Sequence, residues 1–172
     1  MAADLQDFDA ESIYFEQPLE EEAQRCIERS AEAYGSKKGE SQLLRAYFLA
    51  PEHPVVLVAL YRYYFYQHRL DDALRVAERV LTLYAAKLKL PSDWRELSPE
   101  HLGSVAMASI TTLRFYLHAL KGAGCIELRL GEYDTALARL ERVAAVDESD
   151  RLGAGALLEV TRAALNEKQT QM

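Results

Sequence analysis

Apolar residues recur at helical spacing in two stretches of the chain that resemble each other. Each stretch has a helical pattern, a polar turn and a second helical pattern. The second pattern opens on a shared step, Asp72-Ala73-Leu74 in residues 61–80 and Asp134-Thr135-Ala136-Leu137 in residues 120–143. Apolar positions at this spacing are typical of helices that pack on one face. The pattern therefore predicts paired helices, and the self-similarity indicates a repeat array, which usually binds a partner rather than performing chemistry.

Start and stop signals extend this prediction to seven helices. Because proline suits the first helical position, we expect Pro18, Pro54 and Pro99 to open helices. Gly35 is expected to end one by taking the left-handed conformation. The sequence of residues 90–97 indicates a loop, with or without one helical turn. The predicted helices span residues 18–34, 40–50, 54–67, 70–88, 99–130, 133–146 and 150–168.

The small residues Ala73 and Ala136 align the two stretches and give them a register. In that register the chain resembles the tetratricopeptide repeat, a helix–turn–helix unit of about 34 residues with small residues where its helices cross. The chain departs from the family pattern at three positions. Gly39 stands where the first unit should carry alanine, Tyr61 replaces a glycine, and Glu127 replaces an aromatic residue.

The resulting fold class is all-α, a tetratricopeptide-like array of about three units with an inserted helix extension and a C-terminal capping helix. Residues 1–17 are expected to form an acidic, partly flexible N-terminal segment, and residues 18–168 a single helical domain. In the N-terminal segment, Ile13-Tyr14-Phe15 is expected either to staple onto the first helix or to act as an adhesive segment. The expected parts of the domain are units at about 20–53, 54–87 and 117–150, an insertion at 88–116 and a capping helix at 150–168.

The net charge of −7 is concentrated near the N-terminus. Residues 1–40 hold eleven acidic side chains against four basic ones, whereas the rest of the chain is balanced. This distribution disfavours nucleic acids and anionic membranes as partners, because both require a basic surface. No apolar run approaches the roughly 18 residues of a membrane span. The acidic N-terminus does not resemble a signal peptide, so we expect a cytoplasmic protein.

The residue types that perform chemistry do not cluster in the sequence. The four histidines form no pair at metal-binding spacing, and the two cysteines, Cys26 and Cys125, are far apart and expected to be small buried side chains. Gly122-Ala123-Gly124 follows no strand, so it is interpreted as helix packing rather than a dinucleotide loop. We therefore expect no catalytic residues, no metal and no cofactor, and a protein that is not an enzyme.

The resemblance implies that the first helices of successive units line a concave groove. Two interpretations of the groove compete. In one, an extended or helical peptide inserts apolar residues against its aromatics while its basic residues hold acidic groups. In the other, the aromatics are core, and the inserted helix or the N-terminal segment fills the groove. Trp94 likewise either plugs a gap beside the long helix or is an interaction hot spot. The predicted partner-binding residues are Arg25, Arg62, Phe65, Tyr66, Lys121 and Arg129.

The sequence thus favours a protein–protein interaction module, an adaptor or chaperone-like protein that binds a peptide or protein segment. A self-associating, homodimeric helical-repeat protein is the alternative. In size and acidity the chain resembles the small repeat chaperones of bacterial secretion systems. Those chaperones lack an insertion like residues 88–116. The run from Leu44 to His53 is similar to small bacterial repeat proteins encoded beside nitrogen-fixation genes. The sequence leaves the partner, the pathway and the oligomeric state open.

Overall fold

A computed structural model describes residues 18–147 and 149–170, leaving out the side chains of residues 104, 106–108 and 169. This part of the chain is all-α, as predicted, and contains no strand. Residues 1–17, including the predicted Ile13-Tyr14-Phe15 contact, lie outside it. The elements are α1 (Glu21–Glu32), α2 (Lys37–Leu49), α3 (Pro54–Tyr66), α4 (Leu70–Leu88), a 3₁₀ turn (Trp94–Glu96), α5 (Pro99–Leu130), α6 (Tyr133–Val146) and α7 (Ala154–Thr170).

Four helices, α3 to α6, begin and end within one residue of the prediction. Pro54 and Pro99 occupy the first helical positions, where a missing N–H costs nothing. His53 accepts a hydrogen bond from the Val55 N–H at 3.3 Å. Gly131 ends α5 in the left-handed conformation at φ 80°. The loop before α5 contains one 3₁₀ turn, in agreement with the sequence.

Three predicted helix starts are wrong. The first helix begins at Glu21, three residues after Pro18. The second begins at Lys37 rather than at residue 40, because the Ser36 side chain accepts a hydrogen bond from the Gly39 N–H at 3.1 Å and caps the helix earlier. The capping helix begins at Ala154 rather than at residue 150, because Asp150 and Gly153 both adopt positive φ and form a turn.

The 32-residue helix α5 is kinked. Ser109 has non-helical angles (φ −159°, ψ 85°), and its hydroxyl donates to the Thr112 hydroxyl at 2.6 Å. A side chain that enters the helical hydrogen-bond ladder is a known cause of such kinks. The kink separates the inserted first part of the helix from the part that packs in the array.

Successive helices pack as hairpins, α1 on α2, α3 on α4 and α5 on α6. Further contacts join α4 to α5 and α6 to α7. One continuous core runs through them, and its largest fully buried side chains include Tyr61, Phe115 and Tyr116. Ala73 and Ala136, the residues that set the register, are completely buried. Within the described residues, no helix is both long and apolar enough to cross a membrane.

Candidate functional site

The aromatic run of α3 divides between core and surface. Tyr61, Tyr63 and Tyr64 are buried, Phe65 is half-buried, and Tyr66 is 55% exposed. The interpretation of these aromatics as core is therefore correct for the three buried tyrosines. Burial raises the pKa of the Tyr64 hydroxyl, and the nearby Glu40 carboxylate raises it further. Phe65 and Tyr66 are therefore the aromatic residues of this run that are not buried.

Three of the six predicted site residues meet at the end of α3, and His68 joins them to form what we call the aromatic–arginine cluster. The Arg129 guanidinium lies 4.7 Å from the centre of the Phe65 ring, a cation–π distance. Its Nη2 lies 3.5 Å from His68 Nδ1. The Phe65 and Tyr66 rings meet edge to face at 5.9 Å. Arg129 and Tyr66 are both exposed, so the cluster presents a cation beside an aromatic ring.

Two other predicted residues, Arg25 and Arg62, lie outside the cluster, on α1 and α3. Arg25 is exposed on α1 and forms an ion pair with Glu21 at 3.3 Å. Arg62 is half-buried on α3, one turn before Tyr66. Because an exposed i, i+4 pair is weak, Arg25 remains available to an acidic group.

The prediction that Lys121 lines the groove surface is wrong. Its side chain is 0% exposed, and its Nζ donates to the Leu152 carbonyl oxygen at 2.8 Å. The long aliphatic part of lysine can be buried while the ammonium reaches a distant acceptor. Lys121 therefore holds the turn before α7 against α5 instead of meeting a partner.

The groove face between α3 and α5 is largely closed to solvent at the end away from the cluster. Val58 on α3 and His118 on α5, which the repeat register assigns to this face, are both buried. The backbones of α3 and α5 make at most marginal contact with each other. Among the predicted groove residues of α3 and α5, Tyr66 and Arg129 are the exposed ones.

A buried ion network that was not predicted from the sequence joins the α3–α4 and α5–α6 hairpins. Arg139 Nε donates to Glu127 Oε2 at 3.0 Å, its Nη2 donates to Glu127 Oε1 at 2.7 Å, and the same Nη2 also bonds Glu78. Burial raises the pKa of the Glu127 carboxyl, and Arg139 opposes that rise. The sequence signal for this network was Glu127, which stands where the repeat pattern has an aromatic residue. A carboxylate at such a core position requires a buried cation.

Trp94 belongs to this network. Its buried ring lies between the guanidiniums of Arg139, at 4.6 Å, and Arg95, at 4.3 Å. Arg142 donates to the Leu97 carbonyl oxygen at 2.9 Å and fixes the same loop to α6. Trp94 is therefore buried, as the interpretation as a plug expects, but the helix that its ring contacts is α6 rather than the long helix α5.

A second surface feature is a cavity of about 230 Å³ between α2, α3 and α4, which we call the α2–α4 cleft. Leu44 in its lining is 47% exposed. Asp72 at its edge is paired with Arg69 and Arg75, whereas Arg79 has no ion pair within residues 18–147 and 149–170. The cleft is lined by Leu44, Tyr47, Leu57, Leu60, Tyr64, Asp72, Arg75, Val76 and Arg79.

Groups suited to metal binding do not converge in the described part of the chain, where no three histidine, cysteine or acidic side chains lie together. Cys26 is buried, as expected, and Cys125 is half-buried; neither forms a disulfide.

A comparison with curated proteins finds one relative in Azotobacter chroococcum mcd 1, the "Uncharacterized 19.8 kDa protein in nifW 5'region". It is 44% identical over 157 residues, which cover 91% of this chain and 88% of the relative. The chain belongs to the family of that protein, which confirms the resemblance to proteins encoded in nif regions. No family model matches the chain, so the tetratricopeptide resemblance gains no support from such models. No solved structure matches it either.

Proposed function

We propose that this protein is a protein–protein interaction module that binds a peptide or protein segment at the aromatic–arginine cluster. The observation that carries the proposal is that the exposed Tyr66 ring and the exposed Arg129 guanidinium both contact the Phe65 ring. Tyrosine and arginine are the residues most often found as interface anchors, because they combine apolar area with a polar end.

The helix packing supports a tetratricopeptide-like arrangement as part of this proposal. The hairpins α1–α2, α3–α4 and α5–α6 follow one another along the chain, and α7 packs on α6 at the end. Ala73 and Ala136 are fully buried where the register calls for small residues. In such an array the ends of the first helices of successive units lie on one surface. Tyr66 is the last residue of α3, which is one of these helices.

The partner that fits this surface carries an acidic group next to an apolar side chain. Arg25, Arg62 and Arg129 would attract the acidic group, and Phe65 and Tyr66 would pack on the apolar one. The relative's location directs the search to proteins encoded near nifW. The same proposal places the protein in the cytoplasm and assigns it no catalysis, cofactor, nucleic-acid binding or membrane binding.

The experiment is affinity capture with the full chain, followed by reconstitution. Proteins retained by the wild type but not by Tyr66→Ala/Arg129→Glu would be identified by mass spectrometry. Each would then be purified and titrated against both forms. Arg114→Glu is the matched control, because Arg114 is exposed on the same helix as Arg129 and carries the same charge change.

We expect the double variant to weaken binding by about 30-fold or more, since one anchor residue typically carries about 2 kcal/mol. The control should bind like the wild type. A purified partner that binds both forms equally would overturn the assignment of the site. If the wild type is instead a dimer by light scattering and the double variant a monomer, the homodimer alternative is correct.

A further inference from the structure

The α2–α4 cleft is formed by one face of each of three helices. Residues three or four positions apart lie on the same face of a helix. At this spacing α3 contributes three apolar side chains to the cleft, Leu57, Leu60 and Tyr64. Leu44 lines it from α2 and Val76 from α4. The cleft is therefore an apolar cavity with an exposed apolar side chain, Leu44, in its wall.

The size of the cleft suits one bulky side chain. Its volume is about 230 Å³. An apolar cavity of about 150 Å³ holds a benzene ring, whereas sites for cofactors and drug-sized molecules occupy about 300–1,000 Å³. A single phenylalanine or leucine side chain of a partner therefore fits the cleft, and a cofactor-sized molecule does not.

The α4 edge of the cleft presents positive charge. Arg75 and Arg79 are both exposed there, one helical turn apart. Asp72 in the lining is already paired, with Arg69 at 2.7 Å and with Arg75 at 3.0 Å. Arg79 forms no ion pair in the part of the chain that the structure describes. Its guanidinium is therefore available to a carboxylate that lies next to the bound side chain.

The surface beside the cleft favours a protein segment over a small molecule as the occupant. Phe48 follows Leu44 by one helical turn, so the two side chains lie on the same side of α2. The Phe48 side chain is 84% exposed. A segment with one side chain in the cleft can continue along α2 and cover this ring, whereas a small molecule would leave it in water.

The cleft and the aromatic–arginine cluster lie on opposite sides of α3. Tyr64 lines the cleft, and Tyr66 belongs to the cluster. Two residues along an α-helix correspond to a rotation of about 200° about its axis. One ligand side chain therefore cannot occupy both sites, and the two sites can be tested separately.

We propose that the α2–α4 cleft is a second binding site, which takes a bulky apolar side chain from an acidic segment of a protein partner. The side chain fills the cavity, and a neighbouring carboxylate of the segment pairs with Arg79. The proposal uses no residue of the aromatic–arginine cluster, so it does not rest on the proposed function. A molecule with both sites would hold two protein segments at once.

The test is a titration of the full chain with capped peptides, followed by NMR of the backbone amides. The first peptide has a phenylalanine with two acidic residues on each side. Alanine replaces the phenylalanine in the second peptide, and amides replace the carboxylates in the third. Arg79→Glu and Leu44→Glu alter the cleft at exposed positions, where a substitution does not disturb the core. Arg114→Glu on α5 and Val160→Glu on α7 are the matched controls, because both residues are also exposed.

We expect the acidic phenylalanine peptide to shift the amides of residues that line the cleft. The alanine peptide should bind about tenfold more weakly or worse, because it buries no aromatic ring. The amide peptide and Arg79→Glu should each weaken binding by about two- to fivefold, as expected for one exposed ion pair. Leu44→Glu should weaken it at least as much, since it places a like charge in the apolar wall. Both controls should bind like the wild type.

Equal binding of the phenylalanine and alanine peptides, or no shifts at the cleft, would overturn the proposal. Shifts centred on Tyr66 and lost in Tyr66→Ala/Arg129→Glu would assign the peptide to the aromatic–arginine cluster instead. If hydrocinnamate, an aromatic ring on a short carboxylate, binds as tightly as the peptide, the cleft is a site for small acids. A wild type that is a dimer by light scattering, with Leu44→Glu a monomer, would assign the cleft to a second copy of the chain.

Discussion

Replacing Arg139 by methionine would leave the Glu127 carboxyl buried in the core without its cation. Both side chains are 3% exposed, and two hydrogen bonds of 3.0 and 2.7 Å join them. Breaking a buried ion pair by removing one member costs about 3–5 kcal/mol. The lost stack on the buried Trp94 ring adds about 1 kcal/mol.

We therefore expect Arg139→Met to lower the free energy of unfolding by about 4–6 kcal/mol near neutral pH, out of the 5–15 kcal/mol typical of a domain. The measurement is urea denaturation followed by circular dichroism at 222 nm. The double variant Arg139→Met/Glu127→Leu removes both charges, and we expect it to recover most of the loss, because an apolar pair of similar volume often replaces a buried ion pair without cost.

The loss should also depend on pH. Burial already holds the pKa of Glu127 above its ordinary value of 4.5, and without Arg139 nothing nearby opposes that rise. A carboxyl whose pKa is raised in the folded state binds a proton on folding, so it destabilises the fold as pH rises through the folded pKa. The cost of Arg139→Met should accordingly shrink as pH falls toward the ordinary glutamate range.

A cost below about 1 kcal/mol, or a double variant no more stable than the single one, would refute this reasoning. Either result would mean that water reaches Glu127, or that the carboxyl is protonated in the wild type. Glu78→Gln is a suitable control, because Glu78 is half-exposed on the other side of Arg139. It should cost well under 2 kcal/mol.

Three further predictions concern stability measured by the same denaturation assay. Gly39→Ala should lower the free energy of unfolding by about 1–3 kcal/mol, because a Cβ there would lie 2.5 Å from the Ala33 carbonyl oxygen. Gly103→Ala should raise it by up to about 1 kcal/mol, because a Cβ there meets nothing within 4 Å. Equal effects of the two would contradict the structure. Trp94→Ala should cost about 3–5 kcal/mol, and a change below 1 kcal/mol would show that the ring is not packed. Burial raises the pKa of Tyr116 to about 12, so the free energy of unfolding should fall as pH rises from 10.0 toward that value. Tyr116→Phe should make this fall less steep, and an unchanged slope would contradict the assignment to Tyr116.

Local sequence signals predicted the helix ends where the signal acts through the backbone. Pro54, Pro99 and Gly131 restrict φ or remove a donor, so their effect does not depend on neighbours. The missed starts depend on side chains with several possible roles. Ser36 and Asp150 accept hydrogen bonds from backbone N–H groups in this fold, but each could equally have faced water.

The candidate site was predicted only in part, because helical register gives the face of a residue and not what covers that face. Register correctly brought Phe65 and Tyr66 together on α3. It could not reveal that Arg129 would stack on Phe65, or that the turn before α7 would bury Lys121. Glu127 was noticed as a departure, yet its partner lies on another helix, twelve residues away in sequence.

The network around Arg139 also determines the order in which parts of the chain unfold. Arg139 links α4, α5 and α6 through Glu78 and Glu127, and Trp94 adds the loop between α4 and α5. An array with only nearest-neighbour contacts can lose its units one at a time. Here the last two hairpins share one buried charge cluster, so they are expected to open together as a single cooperative block. The α1–α2 hairpin, which is joined to α3 by much less contact, can then open first and expose the groove without unfolding the rest.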